Sequence, residues 1–355
     1  MNNSDNNQNS STIVNSNSDI INGVARTSLF VSAGRAYTTN SYVRNILANG
    51  SDEEKARIVE FLPYFQERLS DSFIPPKAGI YDPYSFYFST TSDALELIKK
   101  TIAKVDPDYP LADINKYNPM YLWSFISESA HLRVAFRTKY IDHFIESQYN
   151  NSNNNDSNDN YNNNQFKQLI ILGAGLDTRA LRLNIPDDTV VYELDLLEVI
   201  EYKKRLLVEA TKVFTPKTKC KLVQIPTDLR YPELWTKSLL DAGFQSDRQS
   251  LWVLEGLLMY LTESDIKILL DTINQLCSPA SKILIHTVNE VPLEKRTLIF
   301  KEFNSLTDHP ENYLIESGFT KDIKPISYIE INQMFGDDTT KLSKSSMFTS
   351  ASNVR

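Results

Sequence analysis

From Gln168 onward the chain repeats one pattern: a short, almost wholly apolar run, a turn, and an amphipathic stretch of helical period. The runs are Gln168 to Leu172, Thr189 to Tyr192, Lys221 to Ile225, Leu251 to Leu254 and Lys282 to Thr287. Runs this short, alternating with helices, predict strands of a parallel sheet wrapped by helices on both sides. The clearest helix follows Thr262 and Asp265, a capping-box pair, and carries Ile266, Leu269, Leu270, Ile273 and Leu276 on one face. The last segment, with Gly318 and an apolar-alternating piece around Met347 and Phe348, predicts one or two antiparallel edge strands.

Ahead of the sheet the pattern is helical. Ser51 with Glu54 caps EEKARIVEFLPYFQERL, and Ser92 opens DALELIKKTIAKV. After Pro119, residues Leu122, Phe125, Ile126, Leu132, Phe136, Tyr140 and Phe144 recur near helical spacing. KAGIYDPYSFYFS, with Pro83, reads as irregular chain; its aromatics from Tyr81 to Phe88, and Tyr260, are candidates either for a pocket wall or for core. Two tracts are low in complexity, residues 1–18 and Tyr149 to Gln165, and neither has the apolar groups to offset the entropy of ordering. The division that follows is a disordered Asn/Ser-rich tail (1–18), a helical cap or arm (19–148), a mobile Asn-rich insertion (149–165) and the sheet domain (166–355).

Composition narrows the partners. A formal net charge of −8 argues against general affinity for phosphate backbones, so nucleic acid is not expected. Cys220 and Cys277 lie far apart without CxxC spacing, which suggests neither a zinc site nor a disulfide framework. The N-terminal residues lack the order of a signal peptide, and no apolar stretch is long enough to span a bilayer. The expectation is a soluble, cytoplasmic protein without a membrane partner.

Function is most legible at the ends of the strands. Ligands of doubly wound sheets sit at the carboxyl ends, and there the first strand runs into LGAGLDTRALRL. Gly173 and Gly175 allow backbone to approach a ligand, yet such a turn also serves any sharp passage from strand to helix. A dinucleotide fingerprint wants a small residue where Thr178 stands and a bare helix N-terminus, whereas Asp177 would repel a pyrophosphate. An adenosine ligand without phosphate, such as S-adenosyl-L-methionine, escapes that conflict. Asp195, ending VVYELD, suits the two ribose hydroxyls or a helix N-cap. Asp228 in PTDLR suits an adenine amino group or an Asx turn. Glu255 and Gly256 close the fourth strand.

LILGAGLDTRALRL, YELDLLEVIEYKKRLL, PTDLR and LWVLEGLLMYL, in this order, resemble the motifs of the leucine carboxyl methyltransferase superfamily, closest to its branch of S-adenosylmethionine-dependent methyltransferases of unassigned substrate. The resemblance implies a Rossmann-like class I methyltransferase: an α/β fold with a mostly parallel seven-stranded sheet, helices on both faces and an N-terminal helical cap. It implies S-adenosyl-L-methionine as cofactor. Gly173, with Gly175 in the same turn, would lie against the methionine part, Asp195 would hold the ribose, Asp228 and the Leu229 backbone would meet the adenine, and Glu255 would lie by the amino-acid end. Arg137 matches an arginine that grips the cofactor carboxylate in relatives, and Arg26 is the nearest match to an N-terminal basic contact. Arg133 and Arg137, four apart on one helical face, repel one another unless an anion intervenes.

The implied reaction is O-methylation by in-line displacement on a small-molecule or protein acceptor. A carboxylate acceptor is already ionised and needs no general base, so no catalytic residue and no metal is named. His131, His143, His286 and His309 follow no motif that sets them at strand ends, and no GxSxG elbow offers a hydrolase nucleophile. The alternatives are a non-catalytic S-adenosylmethionine binder and an NAD-dependent oxidoreductase, the latter disfavoured by Asp177 and Thr178.

Overall fold

The five expected strands form β1 (Gln168–Leu172), β2 (Val190–Asp195), β3 (Lys221–Pro226), β4 (Ser250–Leu254) and β5 (Lys282–His286), and β6 (Lys321–Ser327) and β7 (Ser346–Ser352) complete the sheet. This is the arrangement in a computed structural model that describes residues 25–59, 62–63, 80–105, 107–108, 130–150, 166–290, 303–336 and 346–353. The strand order is β3-β2-β1-β4-β5-β7-β6, and only β7 runs against the others. The C-terminal strand around Met347 and Phe348 is antiparallel as expected, but it is not an edge: it lies between β5 and β6, and β6 takes the edge.

Every residue of β1 and β4 is buried, because helices cover both faces of these inner strands. β3, at the other edge, is partly exposed and carries polar residues accordingly.

The helices are α1 (Ala25–Asn49), α2 (Asp52–Val59), α3 (Pro83–Ser89), α4 (Ser92–Val105), α5 (Ala130–Asn150), α6 (Arg179–Arg182), α7 (Leu197–Val213), α8 (Pro232–Asp241), α9 (Glu263–Leu276), α10 (Pro310–Glu316) and α11 (Tyr328–Met334). On one face of the sheet Phe136, Ile141 and Ile145 of α5 pack on Leu169, Ile171, Val253 and Leu284. On the other, Trp235 and Leu239 of α8 with Leu269, Leu270 and Ile273 of α9 pack on Ile170, Trp252 and Ile283. The alternation of odd and even positions along β1 between these two clusters is the period of a strand made visible.

Two expectations change here, and one open alternative is decided. KAGIYDPYSFYFS is not irregular throughout: Pro83 opens α3, and the Asp82 carboxylate caps it by accepting the Ser85 amide at 3.0 Å. Its aromatics Tyr84, Phe86 and Phe88 are fully buried against α1 and α7, which makes them core rather than pocket wall. The cap of α4 is Thr91, whose hydroxyl accepts the Ala94 amide at 3.3 Å, one residue before Ser92. The capping boxes at Ser51 with Glu54 and at Thr262 with Asp265 form as read. The tract 1–18 and nearly all of 149–165 lie outside the described residues, as do Leu122, Phe125 and Ile126. No helix among the described residues is long and apolar enough to cross a membrane.

Candidate functional site

Register assembles the site. Leu172 of β1 pairs with Leu194 of β2 and Leu254 of β4, and Leu254 pairs with Ile285 of β5. The next residue of each strand therefore stands level with the others: Asp195, Gly173, Glu255 and His286, in a row across four strand tips. Asp195 also pairs with Pro226 of β3, which leaves Asp228 just beyond the row.

Gly173 and Gly175 both adopt left-handed backbone, with φ of 63° and 49°. A Cβ on Gly173 would stand 3.1 Å from Leu257 Cδ1, and one on Gly175 would stand 3.1 Å from Ser28 Cβ in α1. The turn after β1 is thus closed in by the chain beyond β4 and by the first helix. Asp195 fixes it from the third side: its Oδ2 accepts the Gly175 amide at 2.6 Å and its Oδ1 the Leu196 amide at 2.7 Å. The cap position of α7 belongs to Leu196, which makes no side-chain cap bond, so Asp195 is not serving as that cap. Burial raises its carboxyl and the two amides partly offset the rise. Each oxygen keeps a lone pair for a further donor.

Behind the turn lies a buried network of four arginines and four carboxylates. Arg179, fully buried, donates from Nε to Asp142 Oδ1 at 2.7 Å, from Nη1 to Glu255 Oε2 at 2.6 Å, and to Asp177. Arg182 donates to Asp142 at 2.5 and 2.9 Å, and its Nε stands 3.5 Å from Asp82. Arg35 of α1 donates to the Leu176 carbonyl at 2.6 Å and stands 3.5 Å from the same Asp82. Thr178 donates to Asp82 at 2.7 Å. The expectation for Asp177 needs correction here: its carboxylate turns inward onto Arg179 instead of facing a ligand, and α6 is a single turn with little dipole to offer a phosphate. Burial would raise the Asp177 carboxyl, but Arg179 and Arg35 outweigh it and hold it below its usual value.

Glu255 and Arg137 complete this network. Arg137 Nε lies 2.7 Å from Glu255 Oε1, while a Cβ on Gly256 would stand 3.8 Å from Arg137 Nη1, so the guanidinium lies beside the turn after β4. The two atoms form an ion pair, but the N–H does not point along the contact, and neither atom has a directed hydrogen bond among the described residues. Burial alone would raise the Glu255 carboxyl; Arg179, Arg137 and Arg35 outweigh it and keep it ionised far below the usual range. The anion expected between Arg133 and Arg137 is thus supplied to Arg137 by Glu255.

Asp228 and Leu229 fall apart from this cluster. Asp228 accepts the Arg230 amide at 3.0 Å, an Asx turn, and pairs with the Arg230 side chain at 2.5 Å. That hydrogen bond lowers its carboxyl. Leu229 is buried with the α8 and α9 core. The Arg26 side chain is outside the described residues; Arg35 is the buried arginine that α1 brings to the site.

Sequence reasoning missed Arg35, Asp82, Asp142, Arg179, Arg182 and His286. Asp177, Arg179 and Arg182 share one turn, but Asp142 lies 37 positions before Arg179 and Asp82 96 before Thr178, separations that no local pattern spans. His286 follows no motif in the sequence; register puts it at the tip of β5, level with Glu255.

A sheet of this order with one reversed strand, a left-handed glycine turn after β1 and an acid at the tip of β2 defines the class I methyltransferase architecture. The chain belongs to the leucine carboxyl methyltransferase family, whose model matches residues 75–274. A relative in Mycolicibacterium gilvum (strain PYR-GCK), provisionally named an S-adenosyl-L-methionine-dependent methyltransferase, is 34% identical over 208 residues, 59% of this chain and 60% of the relative. Another, in Mycolicibacterium paratuberculosis (strain ATCC BAA-968 / K-10) and bearing the same provisional name, is 41% identical over 117 residues, 33% of this chain and 35% of that one. The match thus spans less than two thirds of these relatives. A solved structure from Thermobifida fusca YX, provisionally named a methyltransferase, is 13% identical with a TM-score of 0.47, covering 73% of this chain and 94% of its own, too distant to inform function.

Proposed function

We propose that the chain is an S-adenosyl-L-methionine-dependent methyltransferase that methylates an oxygen, the acceptor being a carboxylate. The observation that carries the reading is the pair at the tip of β4. Arg137 and Glu255 are opposite charges in contact whose facing atoms still lack directed hydrogen bonds, which matches the carboxylate and ammonium of a zwitterionic amino-acid tail. Asp195 has free lone pairs for ribose hydroxyls at the neighbouring tip, and Asp228, one strand further, is the acid on the adenine side. No phosphate-binding element is required.

The bound cofactor supplies a sulfonium methyl group that moves in line to a nucleophile with loss of positive charge. The chain's part is to orient and to exclude water. Gly173 lets the backbone lie against the tail, Glu255 and Arg137 set its direction, and the buried arginine network keeps Glu255 ionised. An ionised carboxylate acceptor has no proton to give up, in keeping with the lack of an assigned base.

The test is release of S-adenosylhomocysteine from S-adenosylmethionine over a library of small carboxylic acids and peptides with free C-terminal carboxylates. Turnover with carboxylates and none with their amides supports the reading. Cofactor binding with no turnover on any acceptor would make the chain a silent binder.

A further inference from the structure

His286 is the one member of the row of strand tips with no role so far. It is 3% exposed, and neither ring nitrogen has a hydrogen-bond partner among the described residues. An imidazole buried in that condition is costly by the desolvation of both its donor and its acceptor. Packing alone does not call for it: the ring lies on Phe348 at 4.8 Å between centroids, a contact that a phenylalanine would make as well. Phe348 also contacts Tyr140 at 5.2 Å and Tyr328 at 5.6 Å, so the ring on which the imidazole lies is itself held on two sides.

Two further features set the chemistry of what it faces. Burial first, and the Arg137 charge second, push the ring down to about 3, so it is neutral at working pH, with one N–H donor. A group so weakly basic would take little from a hydroxyl as a general base, whereas its N–H is a sound donor to an anion. Arg133, one turn before Arg137 on α5, is half-buried, has no carboxylate partner among the described residues, and its charge reaches Tyr328 beside the same Phe348. Both features favour a negatively charged occupant.

We infer that His286 binds the methyl acceptor, donating from its ring to the carboxylate oxygen that is not methylated, with Arg133 completing the anion site. The inference rests on the carboxylate-methylating reading above. Its placement follows from register: His286 comes directly after Ile285, which pairs with Leu254, so it stands level with Glu255 on the next strand.

The experiment uses the full chain saturated with S-adenosylhomocysteine. The ring ε1 proton of His286 is assigned by its absence from His286→Phe, and its position is followed by NMR during titration with aliphatic carboxylates from acetate to hexanoate and with the matching methyl esters. The expected result is a saturable shift with carboxylates and none with esters, with an apparent affinity about tenfold weaker in Arg133→Gln. With any acceptor found by turnover, His286→Phe should raise its KM by about tenfold, leave S-adenosylhomocysteine affinity unchanged, and be largely rescued by His286→Gln, which keeps a donor. A His286 resonance that no carboxylate moves, in protein that binds S-adenosylhomocysteine, overturns the assignment. Failure to bind S-adenosylhomocysteine at all overturns instead the reading beneath it.

Discussion

The Gly175 amide donates to Asp195 Oδ2 at 2.6 Å, joining the turn after β1 to the tip of β2. One carboxylate thereby shapes the glycine turn and stands where a ribose would lie. Asp195→Ala removes both functions. S-adenosylhomocysteine affinity should fall by about 1–3 kcal/mol, and folding should lose roughly 1 kcal/mol through the unpaired amide. Calorimetry and urea melts separate the two; loss of stability without loss of affinity would leave Asp195 a purely structural group.

Gly175→Ala tests the turn itself. A Cβ there meets Ser28 Cβ at 3.1 Å with φ at 49°, so strain of about 1–2 kcal/mol is expected from the backbone alone. Ser28→Gly in the same chain should relieve the contact but not the strain. Full rescue by Ser28→Gly would show that crowding, not φ, demands the glycine.

Glu255→Gln leaves Arg137 and Arg179 buried without their shared counter-charge, and stability should drop by about 3–5 kcal/mol. Because Glu255 and Asp177 have carboxyls held below their ordinary 4.5 and 3.8, the unfolded chain takes up protons first. Their contribution is whole above those ordinary values and is lost as pH falls below them. Acid unfolding of wild type should be steep there and visibly shallower in Glu255→Gln.

His286 gives a different window. Its folded value is near 3 against an ordinary 6.5, so between the two the unfolded state binds the extra proton and stability rises with pH. The slope approaches about 1.4 kcal/mol per pH unit from this residue alone. Urea melts across the window should show that slope in wild type and its loss in His286→Phe.

Asp228→Ala should cost less than about 1 kcal/mol of stability, since its partner Arg230 is largely exposed. Its effect on S-adenosylhomocysteine affinity should be larger, about 1–3 kcal/mol. Equal cofactor affinity in Asp228→Ala and wild type would reduce Asp228 to its Asx turn.

The strands were legible because β1 and β4 are buried on both faces and must therefore be apolar throughout. The glycine turn was legible because left-handed backbone selects glycine. Their register, which levels Asp195, Gly173, Glu255 and His286, was hidden, since pairing is settled by packing across the whole sheet. Asp177 misled for a related reason: its neighbour Arg179 was in view, but the buried company of Asp142 and Glu255 that turns both inward was not. The stretch around Pro83 reads as irregular in sequence, yet the first turn of a helix is where the missing N–H of proline costs nothing.

The central claim is that the tips of β1, β2, β3 and β4 cradle a phosphate-free adenosine bearing an amino-acid tail. Isothermal titration of the full chain with S-adenosylhomocysteine and, separately, with NAD tests it most directly. The account predicts one saturable site for S-adenosylhomocysteine, weakened in Asp195→Ala, and no heat with NAD. Binding of NAD, or no binding of S-adenosylhomocysteine by folded protein, would contradict it.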